Sequence, residues 1–426
     1  MAGSVRLAAA VACGLLSLAA RVAAAPDPAG CVDAQSLPRV ARILAEPAGA
    51  PTWVRVVSHE DGLPTAVSPL ADGSLPIRAA LDRAVAEPGA DVPVWRLDDE
   101  ARRDRVCSPV PLRQADLDAE RRVVVAAGLN YAAHAEEAGG GDVFVFPKPV
   151  APGAPYGRVA APAGVVLLDY EVELGFVLLE DVDLTALPSR TALLARSAFF
   201  VANDVTDREP IIVHKAFSGP GTGFVDAKGQ PGFLPLGPWL VRGTELFAAL
   251  DACAADGLGL RLEVDEGEGF EVRQDASTAA MILDPLAFLA RIGDEVSRDG
   301  ARTPMPLRRT DPWRYYPMAV AGDGGRLRLP AGSIVLTGTP EGVALRAPSP
   351  LGVVARGLVR LRSPFEQARQ EELARAAGGE PGGYLEPGDR VRARIDGLGA
   401  QLFEIAAPGS SPAADPCEST TEASHR

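Results

Sequence analysis

The chain has 426 residues, 47% of them hydrophobic and 23% charged, a globular balance that excludes intrinsic disorder and a polytopic membrane protein. Its length accommodates two domains, or one large domain with a smaller appendage. A formal net charge of −14, with no Lys/Arg stripe interleaved with aromatics, excludes a nucleic-acid partner. An anionic substrate then requires local cations in a cleft.

Residues 1–25 read as a signal peptide. Arg6 gives a positive start, residues 7–20 form a short apolar stretch, and Ala23, Ala24 and Ala25 offer a cleavage site before Pro26. The stretch is too short to span a bilayer comfortably and Arg21 interrupts it, so no stable membrane span is expected after cleavage. The implied location is exported, periplasmic or secreted. Cys13 would leave with the signal, and Cys31, Cys107, Cys253 and Cys417 would remain in an oxidising compartment. Four cysteines allow three pairings, of which Cys31 with Cys107 is preferred, as a staple of the N-terminal region. No CxxC or HExxH spacing predicts a zinc site.

Residues 26–118 are expected to form a small N-terminal domain, with apolar segments at 37–44 and 53–57 and an Ala-rich helix over 77–86. A charged run at 98–105 leads into the Pro-punctuated linker SPVPL. The body spans 119–406. Strand signals dominate it: VVVAAGL at 123–129, YEVELGFVLL from Tyr170, AFFVAND at 198–204, LRLEVD at 260–265, SIVLTG at 333–338 and RVRARI at 390–395. Helical stretches are few, such as 277–292, so the body is β-rich α+β rather than a doubly wound α/β sheet. Residues 351–383 form a helical insertion, with Ser363 as N-cap, Pro364 at the first helical position and a stop at Gly378. A solvated structural helix is the plainer account of it, and a lid or subunit contact the sharper one. The Ser/Pro/Thr-rich tail, 407–426, is expected to be disordered apart from whatever Cys417 does.

The chemistry begins in LLDYEVELGFVLL, residues 167–179. Side chains alternate across a strand, so Glu171 and Glu173 share one face while Tyr170, Val172, Leu174, Phe176 and Leu178 share the other. The plainer account is a strand with one wet face; the sharper one is two oxygen ligands for a hard divalent cation. In GLNYAAHAEEAGGG, residues 128–141, His134 and Glu137 lie three apart on a helix, so the carboxylate can orient the ring and raise its basicity. A surface histidine beside an acid is the alternative. ANDVTDRE, residues 202–209, sets Asp204 at a strand end as a third oxygen ligand, with Arg208 suited to grip a substrate carboxylate. Lys228 follows in DAKGQPGFLPLGPW, and Thr339 sits among small residues in LTGTPEGV.

Six motifs in this order, GLNYAAHAEE, DYEVELGFVL, ANDVTDRE, AKGQPGFLPLGPW, RQDASTAAMI and LTGTPEGV, resemble the fumarylacetoacetate hydrolase family, including its acylpyruvate hydrolases and 2-hydroxyhepta-2,4-diene-1,7-dioate isomerases. The resemblance covers residues 119 to about 348 and resumes at 387–399. It implies a twisted β-sandwich or roll, usually a homodimer, that binds Mg²⁺ or Mn²⁺ through carboxylates. By position it implies Glu171, Glu173 and Asp204 as metal ligands and His134 with Glu137 as the pair that activates water. It further implies Lys228 as the lysine near the metal, and Arg208, Tyr131 and Thr339 as substrate-binding residues. The chain departs from the pattern in its export signal, in the insertion after Pro348, and in lacking the glutamine often found after the arginine.

What the resemblance implies chemically is hydrolysis of a C–C bond in a 2,4-dioxo acid, by water activated at His134 and Glu137 and with a metal-stabilised enolate as the leaving fragment. The same enolate chemistry supports an oxo-acid decarboxylase, an isomerase or a hydratase. A different class stays open: an exported protein that binds metal-chelated carboxylates without turning them over.

Overall fold

The computed structural model describes residues 28–45, 49–87, 93–214, 223–299, 302–303, 316–322, 325–346, 360, 363–378, 383–410 and 415–418. The signal-peptide reading lies outside these residues, as do parts of the insertion and of the tail. Among the described residues, no helix is long and apolar enough to cross a membrane.

The fold is mixed α+β and strand-rich, with open sheets. Its centre is a six-stranded sheet in the order Val241–Arg242, Ser197–Asn203, Val172–Leu178, Ile334–Leu336, Val124–Gly128, Phe144–Pro147. Only the pairing of Ile334–Leu336 with Val124–Gly128 is parallel. A five-stranded sheet packs against it, ordered Phe270–Ser277, Gly259–Asp265, Arg390–Ile395, Gly399–Ala406, Tyr156–Ala160.

Alternation explains how the central sheet is buried twice. Leu174, Phe176, Leu178, Phe199 and Val201 point into the core shared with the five-stranded sheet, whereas Val177, Ala198, Phe200 and Ala202 join a second apolar cluster on the opposite face. All seven residues of Val172–Leu178 are buried. The expectation of a strand with a wet face therefore fails, because a central strand sandwiched on both sides has none. Glu173 shares a parity with Val177, so its carboxylate lies on the second-cluster face, inside the protein.

The N-terminal region folds as a four-stranded antiparallel meander, Val40–Leu44, Pro51–Glu60, Leu63–Asp72 and Trp95–Arg96. It docks on the body through a bridge between Val40 and Leu240 and the Ala400 amide on the Gly62 carbonyl. The helix Ile77–Ala86 forms where its Ala and Leu spacing predicts, burying Ala80, Leu81 and Ala84. The predicted helix over 277–292 is corrected: Ser277 ends a strand, Thr278–Ala280 is a single 3₁₀ turn, and the helix is Pro285–Asp299. Proline at its first position explains the late start, since a prolyl nitrogen has no hydrogen to donate and fits only there.

The preferred disulfide is also corrected. Cys31 pairs with Cys253 and Cys107 with Cys417, closing separations of 222 and 310 residues. The helix Pro28–Ala34 packs on Gly243–Ala252, whose C-cap is Cys253, so the N-terminal thiol meets the body rather than its own domain. Cys107 follows a bridge between Ile43 and Val106 and holds Cys417 of the tail.

The insertion helix, Pro364–Ala377, has the predicted start: Ser363 accepts the Glu366 amide, with Pro364 in the first turn. It is not solvated all round. Gln367 and Glu372 are buried, and the helix packs on Arg208–His214.

Candidate active site

Strand register brings the three acids together. Glu173 lies opposite Ala202 in the antiparallel pair, and one step beyond the ladder the Asp204 amide donates to the Glu171 carbonyl at 2.9 Å. Glu171, Glu173 and Asp204 therefore share parity and place, and one carboxylate oxygen from each lies within 4.8 Å of the others. All three are buried.

Three cations interleave with them. Lys228 Nζ lies 2.6 Å from Glu171 Oε2, 2.7 Å from Asp204 Oδ2 and 2.8 Å from Thr206 Oγ1. Lys148 Nζ lies 2.6 Å from Asp204 Oδ1 and donates to the Lys228 carbonyl at 2.6 Å. Arg208 is held between Asp169, 2.7 Å from its Nε, and Glu171 Oε1, 2.6 Å from one terminal nitrogen. Burial alone would raise the Glu171 pKa, but Lys228 and Arg208 outweigh it and hold that carboxyl below its ordinary value. Burial pulls Lys228 down, and Asp204 with Glu171 more than offset it. For Lys148 burial prevails over Asp204, and its pKa is lowered.

Glu173 is the exception. Its Oε2 accepts the Gly338 amide at 2.8 Å, while its buried Oε1 has no hydrogen-bond partner among the described residues. Burial, then Asp204 and Glu171, push its pKa well above the usual carboxylate range. Gly338 adopts φ +90°, a left-handed conformation that favours glycine and here aims its amide at the carboxylate. An all-oxygen donor set, buried and converging, with one oxygen left over, fits a hard divalent cation.

His134 and Glu137 meet as predicted on Ala132–Glu137, Nδ1 to Oε2 at 3.3 Å, and the histidine is buried rather than a surface residue. Glu137 is itself fixed by the Gly342 amide, 3.3 and 3.2 Å from its two oxygens. Gly342, at φ +96°, has no room for a side chain, since a Cβ would stand 2.1 Å from the Arg273 carbonyl oxygen. His134 also contributes, after Lys228 and Arg208, to the lowering at Glu171.

Tyr131 is buried with its hydroxyl unpartnered among the described residues, and burial followed by Glu173 raises its pKa, so it stays a protonated donor. Thr339 donates to the Val172 carbonyl at 3.0 Å and accepts from Gln274 Nε2 at 2.8 Å. That threonine ties the Gly338 turn to the acid-bearing strand.

Three contributors escaped the sequence reading. Lys148 stands in FPKPV, where flanking prolines suggest a linker; a lone lysine among apolar residues was the available signal. Asp169, fully buried, takes Arg208 Nε and the amides of Tyr170, Ala344 and Leu345. Gln274 joins Val172 to Thr339 and Pro340 through its side-chain amide.

A strand-rich α+β frame thus surrounds buried, cation-matched carboxylates and a hydrogen-bonded His–Glu pair. The profile for the fumarylacetoacetate (FAA) hydrolase C-terminal family matches residues 123–405, and the chain belongs to that family. A Burkholderia multivorans protein named by inference as a hydrolase is 30% identical over 245 residues, 55% of this chain and 67% of that one. A Burkholderia ambifaria protein, named in the same way, is 29% identical over 286 residues, covering 65% and 71%. Among solved structures, the 2-hydroxyhepta-2,4-diene-1,7-dioate isomerase of Mycobacterium marinum matches with a TM-score of 0.51 at 20% identity, over 88% of this chain and 100% of that one. The fumarylacetoacetate hydrolase of psychrophilic Exiguobacterium antarcticum matches with a TM-score of 0.50 at 23% identity, over 87% and 99%. These two likenesses speak to the fold.

Proposed function

We propose that the chain is a divalent-metal-dependent hydrolase that cleaves a C–C bond in a small 2,4-dioxo acid of the acylpyruvate type. The observation that carries this reading is the convergence of Glu171, Glu173 and Asp204 within 4.8 Å, with an orphaned Glu173 oxygen, beside a His–Glu pair. Glu171, Glu173 and Asp204 would hold Mg²⁺ or Mn²⁺. When bound, such an ion supplies Lewis-acid stabilisation for negative charge on a chelating oxo acid.

The chain's own groups do the rest. Glu137, anchored by Gly342, accepts from Nδ1 of His134 and so leaves Nε2 as the basic nitrogen. That nitrogen takes a proton from water as the water oxygen bonds the distal carbonyl carbon. The adjacent C–C bond then breaks, its electron pair passing to the leaving enolate, and a proton returns to the enolate carbon. Lys228 and Arg208 keep the cavity from becoming anionic, and the Tyr131 hydroxyl is a donor for a substrate oxygen. Burial of His134, Lys228, Arg208 and Tyr131 strengthens the electrostatics there.

The two disulfides support an exported protein, since such links persist in oxidising compartments. A screen of acylpyruvates, oxaloacetate and 1,3-diketones with Mg²⁺ or Mn²⁺, and with EDTA as control, tests the function. Release of one carboxylic acid and one pyruvate from each acylpyruvate supports it. Decarboxylation or isomerisation alone would reassign the reaction, and retention of ligand without any product would mark a binder.

A further inference from the structure

We infer that Arg375, on the insertion helix Pro364–Ala377, is a positioning residue for the His134–Glu137 pair, acting through the loop Gly342–Leu345. The inference rests on the proposed function for its catalytic consequence, though not for its structural one.

That loop is the junction of the site. The Gly342 amide binds both oxygens of Glu137, and the Ala344 and Leu345 amides bind the two oxygens of Asp169 at 2.8 and 3.0 Å. Asp169 in turn holds Arg208, which reaches Glu171. Three loop amides thus set both halves of the chemistry, the water-activating pair and the acid cluster. Between them the Ala344 carbonyl points the other way and accepts from Arg375 Nη2 at 2.6 Å.

Arg375 is not a floating side chain. It pairs with the buried Glu372, whose Oε2 also takes the Tyr384 hydroxyl at 2.6 Å, and its guanidinium lies 4.9 Å from the centre of the Tyr384 ring. Glu372 and Tyr384 therefore fix the guanidinium before it meets the loop. One turn and a half earlier on the same helix, Arg369 Nε donates to Glu209 at 2.9 Å, in the residue directly after Arg208. The helix is clamped on both segments that carry site residues. A displaced loop would move the Gly342 amide off Glu137 and release the imidazole's orientation, a misplacement that costs rate without removing any reacting group.

The full-length chain carrying Arg375→Ala, Arg375→Lys or the control Gln370→Ala tests this; among the described residues, the Gln370 side chain bonds only Glu366 of its own helix. Hydrogen–deuterium exchange at the amides of residues 342, 344 and 345 is expected to quicken about tenfold in Arg375→Ala and to stay at the wild-type rate in Gln370→Ala. With an acylpyruvate and Mn²⁺, kcat is expected to fall about tenfold in Arg375→Ala, with KM and Mn²⁺ affinity within about twofold. Arg375→Lys, still able to donate to Ala344, should recover most of the loss. Unchanged exchange in Arg375→Ala overturns the inference, as does a loss shared equally by kcat, Mn²⁺ affinity and the control variant. Should wild-type protein turn over none of the screened substrates, the proposed function falls, and the exchange rates still decide the loop's anchorage.

Discussion

Lys228 carries its ammonium 2.6 Å from Oε2 of Glu171 in the protein interior, with 2% and 5% of the two side chains exposed. Removing Lys228 leaves Glu171 with Arg208 alone and Asp204 with Lys148 alone, an under-compensated buried cluster whose disruption costs about 3–5 kcal/mol, far more than loss of a surface pair. Lys228→Met should therefore destabilise the metal-free protein by about that amount. Part of the loss should return on adding Mn²⁺, because a cation replaces a cation. Urea unfolding with and without Mn²⁺ checks both statements, and an equal loss in the two conditions would sink the second.

Glu173 gives the pH dependence. Its pKa is raised in the fold, so at low pH folded and unfolded chains are both protonated there and the group costs nothing. As pH climbs through the ordinary carboxylate range, only the unfolded chain releases its proton, and metal-free stability drops until the raised folded value is passed. Glu173→Gln lacks this titration. In EDTA, its melting temperature should exceed that of wild type by more at pH 8 than at pH 5. With Mn²⁺ the order should reverse, since the variant has lost a ligand. Thermal scans at the two pH values, with chelator or metal, measure it.

His134→Ala should lower kcat by about 10²–10⁴-fold, the usual worth of a positioned general base, while Mn²⁺ affinity stays within about twofold. Glu137→Gln should fall less far, because it keeps a hydrogen bond to the ring but loses the charge that stabilises the imidazolium. Calorimetric Mn²⁺ titration beside steady-state kinetics separates these effects. If metal affinity collapses with either change, the pair belongs to the metal site and not to water activation.

The covalent frame can be read directly. Peptide mapping without reductant should recover Cys31 joined to Cys253 and Cys107 joined to Cys417, and no peptide joining Cys31 to Cys107. Cys253→Ser opens a closure of 222 residues and should cost about 2–4 kcal/mol. Reductant alone should lower the wild-type melting temperature and leave that of a four-serine variant unmoved.

Much of the site was legible because its spacing is local. Two-residue alternation put Glu171 and Glu173 together, and three-residue spacing joined His134 to Glu137; RVRARI and Ile77–Ala86 form at the predicted residues. What stayed hidden depends on long-range closure. Lys148 reaches Asp204 across 56 positions of chain, Gly342 reaches Glu137 across 205, and the cysteines pair across 222 and 310. Nothing near any of these residues in sequence records the partner. The late start of Pro285–Asp299 is a different failure: Ala279 and Ala280 favour a helix, but Ser277 closes the ladder against Gly259 and Pro285 fits only a first turn.

The strand Ile334–Leu336 sits between Val124–Gly128 and Val172–Leu178, so the middle of the central sheet is supplied by a segment synthesised more than 150 residues after its neighbours. A nascent chain halted before it would carry all three acids and both lysines yet lack the amide that steadies Glu173.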